Sequence, residues 1–192
     1  GKEAGKSPWK WDAAAGEPLA RYAKHTKAVT SVAISPDGTR LATGSWDGTA
    51  RIWDKSTGDV LQTLRGHGAA VYSVAFSPDG ARLVTAGADA NVLLWNATTG
   101  AVAATFGDHT AEVYSAAFSS DGARIVTGSA DLPARGCDIA TRATLFTYEG
   151  HVDAVLGVAF TPDGQKVVTG SSDGTARLWD ARSKADGGAG AL

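Results

Sequence analysis

Short apolar stretches alternate with tight polar turns along most of this chain. The first stretch spans residues 29–34 (VTSVAI) and is followed by a Ser-Pro-Asp-Gly turn. Proline presets φ for a turn and glycine accepts positive φ, so the chain is predicted to reverse there. Two further stretches, 40–45 and 49–53, flank an Asp-Gly hairpin signal, and a fourth covers 60–64. The pattern predicts four short strands joined by tight turns, and long helical periodicity is absent.

The same arrangement recurs every 42 residues without insertion or deletion. Four kinds of marker share this period. They are the histidines His25, His67, His109 and His151; the turns at 36–38, 78–80, 120–122 and 162–164; the aspartates Asp47, Asp89, Asp131 and Asp173; and the pairs Trp53-Asp54, Trp95-Asn96, Cys137-Asp138 and Trp179-Asp180. Because chance does not give four independent markers one period, the sequence predicts a repeated structural unit.

A four-stranded antiparallel unit of about 40–45 residues with Gly-His and Trp-Asp markers resembles a blade of the WD-repeat β-propeller family. The Gly-His pair stands at 66–67 and 150–151, and the Trp-Asp pair at 11–12, 53–54 and 179–180. The resemblance runs from about Trp11 to Asp180 and implies an all-β propeller of four-stranded antiparallel blades. The predicted organisation is an N-terminal extension at 1–10, a propeller region at 11–182 and a Gly/Ala-rich tail at 183–192. The repeats are predicted at about 13–54, 55–96, 97–138 and 139–180.

The resemblance also implies a buried chain of hydrogen bonds inside each blade, which links a tryptophan, a hydroxyl residue, the histidine and the turn aspartate. The residues concerned are His25, Thr43, Asp47 and Trp53; His67, Thr85, Asp89 and Trp95; His109, Thr127 and Asp131; and His151, Thr169, Asp173 and Trp179. Buried polar groups need partners, and these four side chains can donate and accept in series. Because the set recurs in nearly every unit, we interpret it as structural rather than catalytic. The histidines are not expected to converge on one metal ion.

The third unit departs from the pattern. Cys137 replaces the tryptophan, Leu132 replaces the turn glycine, and Gly136 replaces an apolar residue, while Pro133 has no N–H to donate. The loss of a buried tryptophan typically costs about 3–5 kcal/mol. We therefore expect the third blade to be the weakest, with a short or irregular third strand. Drift in a tolerant repeat is favoured as the cause over an edge that a partner covers.

Composition narrows the function classes. The chain is 43% hydrophobic and 20% charged with a formal net charge of −2, as expected for a folded globular protein. The sequence has no excess of basic residues that would favour direct binding to nucleic acid or to a membrane. No apolar run reaches the roughly 18 residues of a membrane span, and no signal-peptide pattern opens the chain, which favours an intracellular, cytoplasmic or nuclear, location. The single cysteine excludes an internal disulfide and a multi-cysteine zinc site, and no cofactor is implied.

The phase of the repeats is compatible with more than one way of closing the ring. The chain holds one fourth strand before the first complete unit and stops after the last third strand. Three arrangements remain: part of a longer propeller, two copies that self-associate into an eight-bladed ring, and a four-bladed unit or open arc. The missing methionine fits a chain that is processed or cut from a longer one.

Partner-binding candidates are the positions at which otherwise matching units differ. The residue before each turn aspartate is Trp46, Ala88, Ala130 or Ser172, and an exposed indole there would be a good interface anchor. Five residues after each histidine stand Thr30, Tyr72, Tyr114 and Leu156, a position that in the family can face the ligand side of the ring. The alternative for Trp46 is packing on a neighbouring blade, and for the tyrosines it is a core role.

These observations predict a non-catalytic scaffold that binds other proteins, within a larger propeller or a multiprotein assembly. The sequence contains no nucleophile elbow, phosphate-binding loop or metal-ligand cluster that would indicate an enzyme. The alternatives are a regulatory or targeting module of a larger enzyme chain, and a fixed component of a cytoskeletal or ribonucleoprotein complex.

Overall fold

The structure, a computed structural model, describes residues 8–11, 14 and 18–181 of the chain. Strands β1 (Trp9–Trp11) and β2 (Pro18–Arg21) form an antiparallel pair, which we call the leading hairpin. Of the predicted N-terminal extension, residues 1–7 lie outside the described residues, and so does the whole predicted tail at 183–192. Asp12, from the first Trp-Asp pair, also lies outside them.

The remaining strands form four antiparallel sheets in chain order, which we call blades 1 to 4. The strands of blade 1 are β3 (Val29–Ile34), β4 (Arg40–Ser45), β5 (Thr49–Asp54) and β6 (Val60–Arg65); of blade 2, β7 (Val71–Phe76), β8 (Arg82–Gly87), β9 (Val92–Asn96) and β10 (Val102–Phe106); of blade 3, β11 (Val113–Phe118), β12 (Arg124–Ser129), β13 (Ala134–Asp138) and β14 (Thr144–Tyr148); and of blade 4, β15 (Val155–Phe160), β16 (Lys166–Ser171) and β17 (Ala176–Asp180). The predicted all-β fold of repeated four-stranded blades is confirmed. Blade 4 has three strands among the described residues, and β2 pairs with β1 rather than with β17.

The turn between the first two strands of blade 1 shows why the Ser-Pro-Asp-Gly sequence reverses the chain. Gly38 has a φ of 70° and donates its N–H to the carbonyl oxygen of Ser35 at 2.8 Å. Asp37 accepts hydrogen bonds from the Ser35 hydroxyl at 2.5 Å and from the N–H of Thr39 at 3.0 Å. A residue with a Cβ would be strained at this positive φ, so glycine occupies the position.

Neighbouring blades are joined by contacts that repeat with the sequence period. Three serine hydroxyls each accept an N–H from the first strand of the next blade: Ser31 from Val74 at 3.2 Å, Ser73 from Ala116 at 3.2 Å, and Ser115 from Val158 at 3.3 Å. Three arginines each donate to a turn carbonyl of the next blade: Arg40 to Gly80 at 2.7 Å, Arg82 to Gly122 at 2.9 Å, and Arg124 to Gly164 at 2.9 Å. The same guanidinium groups lie 5.4–5.9 Å from the ring centres of Phe76, Phe118 and Phe160. Each joint between blades therefore holds a hydrogen-bonded and a cation–π contact in addition to its apolar packing.

Where one blade contributes a small side chain to a joint, the neighbouring blade contributes a larger one. This compensation explains how blade 3 tolerates the loss of its tryptophan. At the first joint the Trp95 ring packs with Ile52 and Leu64. At the second joint, where Cys137 stands in place of the tryptophan, the larger Phe106 packs with it.

At the third joint, between blades 3 and 4, the small residue is Gly136 of blade 3, and the tryptophan belongs to blade 4. Tyr148 packs 5.5 Å from the ring of Trp179, and a Cβ on Gly136 would lie 3.0 Å from Phe146. The expectation of a short third strand in blade 3 is wrong: β13 has five residues, as do β9 and β17, and it pairs with both β12 and β14. Its ladder with β12 is nevertheless irregular at the end, because it lacks the pair that corresponds to Gly44 and Ala50 in blade 1. The strand persists because its backbone partners do not depend on the missing indole.

Two residues of blade 3 other than glycine have a left-handed backbone, Arg142 with a φ of 62° and Leu132. Leu132 has a φ of 84°, and its side chain is exposed. The equivalent turn position holds Gly48 and Gly174 in blades 1 and 4, with φ of 80° and 82°. We expect Leu132→Gly to raise the free energy of unfolding by about 1 kcal/mol, because it relieves a left-handed conformation while losing little buried surface. Urea denaturation measures the change.

The matched control is Gly174→Leu, which creates the same side chain at the same turn position of blade 4. No atom lies within 4 Å of a Cβ built on Gly174, so steric contact does not contribute. This variant should lose a similar amount of stability. Equal stabilities for all three proteins would contradict the strain.

Candidate functional site

Each blade contains a buried histidine that lies between a carboxylate and a hydroxyl. In blade 1, His25 precedes β3, and its Nδ1 lies 2.8 Å from Oδ2 of Asp47, in the turn after β4. Its Nε2 lies 2.7 Å from the Thr43 hydroxyl, which also accepts the indole N–H of Trp53 at 2.9 Å. The four side chains thus connect the first strand, the second strand, the following turn and the third strand.

The other blades repeat this arrangement with one exception. In blade 2 His67 lies 2.9 Å from Asp89 and 2.7 Å from Thr85, which accepts from Trp95 at 2.8 Å; in blade 4 His151 lies 2.7 Å from Asp173 and 2.7 Å from Thr169, which accepts from Trp179 at 2.8 Å. In blade 3 His109 lies 2.9 Å from Asp131 and 2.7 Å from Thr127. Cys137 supplies no indole there, and the Thr127 hydroxyl lies 3.3 Å from the carbonyl oxygen of Arg135.

Electrostatics assign a direction to this hydrogen-bond chain. Burial raises the pKa of the Asp47 carboxyl, but hydrogen bonds from the Thr49 hydroxyl, the N–H of Thr26 and the His25 ring outweigh burial and bring that pKa to about 2. Burial lowers the pKa of His25, even though Asp47 opposes the shift. A neutral imidazole beside an ionised carboxylate donates through Nδ1–H, so Nε2 accepts from the Thr43 hydroxyl and the Thr43 oxygen accepts from the indole.

This direction bears on catalysis, because it occupies the imidazole and the hydroxyl that could otherwise act as a base and a nucleophile. His25 and Thr43 are both buried, and their donor and acceptor atoms are already used in the hydrogen bonds that link them to Asp47, to Trp53 and to each other. The thiol of Cys137 is also buried, and its burial raises its pKa, which disfavours the nucleophilic thiolate. Among the described residues, no group of three or more His, Cys, Asp or Glu is arranged to hold a metal ion.

The predicted anchor Trp46 lies at the edge of an open groove between blades 1 and 2. Its side chain is 54% exposed, and it lines a groove of about 630 Å³ together with Lys27, Arg65 and Tyr72. Asp47 also lines the groove, but its carboxylate is already bound to His25 and to backbone N–H groups. The groove therefore offers an indole, a phenol and two cations to a ligand.

The two predicted tyrosines meet on adjacent blades next to this groove. The rings of Tyr72 and Tyr114 have centres 5.5 Å apart with planes tilted by 31°. The Tyr114 hydroxyl donates to Glu112 at 2.8 Å, which raises the pKa of this phenol. Trp46 and Tyr72 line the same groove, and Tyr72 contacts Tyr114. We call these three side chains, on blades 1 to 3, the aromatic rim.

The other two predicted positions play different parts. Thr30 is exposed, and its hydroxyl donates to the carbonyl oxygen of Val71 at 2.5 Å, so it links blade 1 to blade 2 beside the groove. Leu156 is exposed on β15, in the last blade, and is not among the groove residues.

Sequence reasoning missed Lys27 and Arg65, which the fold brings into the groove from the loop before β3 and from the end of β6. The one available signal was variation between repeats, since positions 65, 107 and 149 hold Arg, Gly and Glu. Variation alone does not reveal that two cations face the same indole.

Comparison with known families gives a match over most of the chain. A family model described as "WD domain, G-beta repeat" matches residues 16–54, 58–96, 100–131 and 142–180. The third match ends at Asp131, immediately before the segment that holds Leu132 and Cys137. No curated protein matches the chain significantly. In the described part of the chain, no helix is long and apolar enough to cross a membrane.

Removal of the shared hydroxyl in blade 1 should destabilise the protein strongly. Thr43→Val keeps the side-chain shape but leaves the Trp53 indole and His25 Nε2 without partners in a buried place. We expect a loss of about 2–4 kcal/mol in the free energy of unfolding, measured by urea denaturation, because each orphaned buried group costs about 1–3 kcal/mol.

Blade 3 supplies the matched control for this substitution. Thr127→Val orphans only His109, because no indole donates to Thr127, so its loss should be about half as large. Equal losses for the two variants would show that the indole bond contributes nothing.

The free energy of unfolding should fall in two steps as the pH decreases. Burial holds the pKa values of His25 and His109 below those of the unfolded chain, so the unfolded state takes up protons first once the pH falls below about 6.5. The second step runs from about pH 4 towards 2, where Asp47, with a pKa of about 2, resists protonation longer in the folded state. Urea midpoints measured from pH 8 to about pH 2 test both steps, and a constant or rising midpoint between pH 7 and 5 would contradict the buried neutral histidines.

Proposed function

The chain belongs to the WD-repeat family, and from that premise we propose that it is a non-catalytic scaffold that holds partner proteins on its aromatic rim. Domains of this family are in general protein-interaction scaffolds. The finer proposal is that the groove beside Trp46 is where a partner segment docks, within a multiprotein assembly. The single observation that carries it is an indole more than half exposed on a rigid turn, beside an open groove.

The exposure of Trp46 supports an anchor role over a packing role. The tryptophans at the framework positions, such as Trp53 and Trp95, are almost completely buried. Exposure of a large apolar ring has no benefit for the isolated fold, and such rings supply much of the binding energy at protein interfaces. The turn that carries Trp46 is held by Asp47, which binds His25 and the N–H of Thr49.

The charges around the groove favour a partner segment that carries an acidic residue. Lys27 and Arg65 line the groove, and the one carboxylate there, Asp47, is already engaged. A segment with an apolar side chain for Trp46 and a carboxylate for these cations would match the groove in shape and charge. Because the blades are preorganised, the scaffold would lose little conformational entropy on binding.

The proposal that the protein has no catalytic activity rests on the buried polar chains. Within residues 18–181, the four recurring sets of His, Asp and Thr are each closed on themselves by hydrogen bonds. A general base must reach the proton that it removes, and these imidazoles face other protein groups instead.

Trp46→Ala tests the anchor. We expect binding partners captured from the native cell extract to be lost or weakened by about tenfold or more, because a central tryptophan in an interface contributes about 2 kcal/mol or more. Quantitative mass spectrometry of the captured proteins measures the binding. The melting temperature should not fall, since the ring buries little surface in the isolated fold.

The matched control is Ser172→Ala, which truncates the equivalent exposed turn position of blade 4. It should retain the partners of the unsubstituted protein. If Trp46→Ala lowers the melting temperature and retains every partner, Trp46 is a packing residue and the proposal fails.

A further inference from the structure

The two end faces of the four-blade array expose the same positions that are buried at its internal joints. We call the face of a blade that points towards the preceding blade its front, and the opposite face its back. On the front of blade 1, Val32 is 57% and Ile34 is 58% exposed. Val74, the counterpart of Val32 in blade 2, is instead buried against blade 1. On the back of blade 4, Val168 is 39% and Leu178 is 37% exposed, although the counterparts of these residues in blades 1 and 2 are buried. The two ends therefore do not pack on each other as neighbouring blades do.

Apolar end faces are unusual for a stack of repeats. The terminal units of repeat proteins normally carry a polar outer face that keeps the stack soluble. Here the two faces are complementary instead, because each is one half of a joint that occurs three times inside the chain. The front of blade 1 is equivalent to the face that blades 2, 3 and 4 present to their predecessors, and the back of blade 4 is equivalent to the face that receives it.

The leading hairpin shows what is missing from the front of blade 1. It pairs Trp11 with Pro18 and Lys10 with Ala20, the same register in which blade 1 pairs its third and fourth strands, with the bulge at the same step. β1 and β2 therefore occupy the places of the third and fourth strands of a preceding blade. Tyr22, directly after β2, packs 5.6 Å from the ring of Trp53, so the outer part of this face is covered and the inner part, with Val32 and Ile34, is bare.

Blade 4 shows the complementary deficiency. In the described part of the chain, β17 pairs with β16 but has no fourth strand beside it. A copy of β2 placed there in the register of the other blades would set Arg21 opposite Arg177, as Thr63 is set opposite Arg51 in blade 1. Among the described residues, the strand that would complete blade 4 is thus present in the same chain as β17, beside the front of blade 1.

We propose that two copies of this chain join head to tail, with the back of blade 4 of each copy packed on the front of blade 1 of the other. At each joint β2 leaves β1 and pairs with β17 of the second copy, which gives that blade its fourth strand. The exchange replaces a three-residue strand by the five-residue β17. A head-to-tail contact that repeats with rotation closes into a ring, and two copies give eight blades, within the usual range of four to eight.

The side chains at this joint differ from those of the internal joints in a way that makes it weaker. Lys166 stands where Arg40, Arg82 and Arg124 stand, and Ile34 stands where the internal joints have phenylalanine. An aliphatic stem against isoleucine replaces the cation–π contact, and Gly157 replaces the serine whose hydroxyl accepts an N–H. The dimer should consequently dissociate on dilution while the blades remain folded.

Light scattering after size-exclusion chromatography tests the association with blocked copies. A front-blocked copy carries Val32→Glu and Ile34→Glu, and a back-blocked copy carries Val168→Glu and Leu178→Glu, all at exposed positions. We expect the unsubstituted chain to elute at twice its mass of 19.6 kDa at high concentration. Mixed copies should form a dimer through the single joint that remains. Each blocked copy alone should be monomeric, with the circular dichroism of a folded β protein.

The matched control carries Val102→Glu and Val152→Glu, exposed apolar positions away from both end faces, and it should dimerise like the unsubstituted chain. An unsubstituted chain that stays monomeric at high concentration would overturn the proposal and leave the faces to a different protein. Dimers of a blocked copy with itself would overturn the head-to-tail polarity.

Disulfide trapping tests the strand exchange itself. One copy carries Arg21→Cys and the other Arg177→Cys, and the native Cys137 is buried and is left in place. Oxidation of the mixture should give a covalent dimer on a non-reducing gel, whereas neither copy alone should. A chain that carries both substitutions and yields only a covalent monomer would show closure within one copy and would overturn the exchange.

Discussion

The architecture depends on burying an ionised aspartate and a neutral histidine together without leaving either group unpaired. In blade 1 the Asp47 carboxylate accepts from the His25 ring and from the N–H groups of Thr26 and Thr49, while His25 accepts from Thr43. A carboxylate with too few donors would be protonated or would unfold its surroundings, because burial of a bare charge is very costly. The bonds tie the start of the first strand to the turn after the second, so a thin sheet becomes a rigid unit.

The blades must also pack against each other. At each joint the residues of both neighbouring blades together fill the space, and no single residue type is required. Cys137 is small where the other blades have tryptophan, and Phe106 on the opposite side is large. Gly136 is small on its own strand, and Tyr148 beside it packs on Trp179. Cores tolerate such exchanges when the total volume is kept, which explains why β13 remains a five-residue strand despite the loss of the framework residue.

The framework residues repeat from blade to blade, whereas the proposed partner-binding positions do not. The turn residue before the aspartate is Trp46 in blade 1 and a small residue in the other three blades, so the exposed indole is confined to one place on the aromatic rim. Repetition also has a consequence at the ends, since every blade is built to receive a neighbour on both faces. Val32 and Val168 carry the apolar side chains of an internal joint although no described residues cover them as they are covered inside the array.

The sequence by itself determined the strands, the turns and the polar chains, because these depend on residues close in the chain and recur in one period. Glycine and aspartate at the turns, and alternation between them, are local signals that four copies make unmistakable. Variation between repeats also singled out Trp46, Tyr72 and Tyr114 as candidates for partner binding. Only the tertiary structure decided that Lys27 and Arg65 face the same groove, that Phe106 offsets the missing indole, and which apolar residues stay exposed. Those facts arise between blades, where residues about 40 positions apart meet in pairs that no single repeat contains.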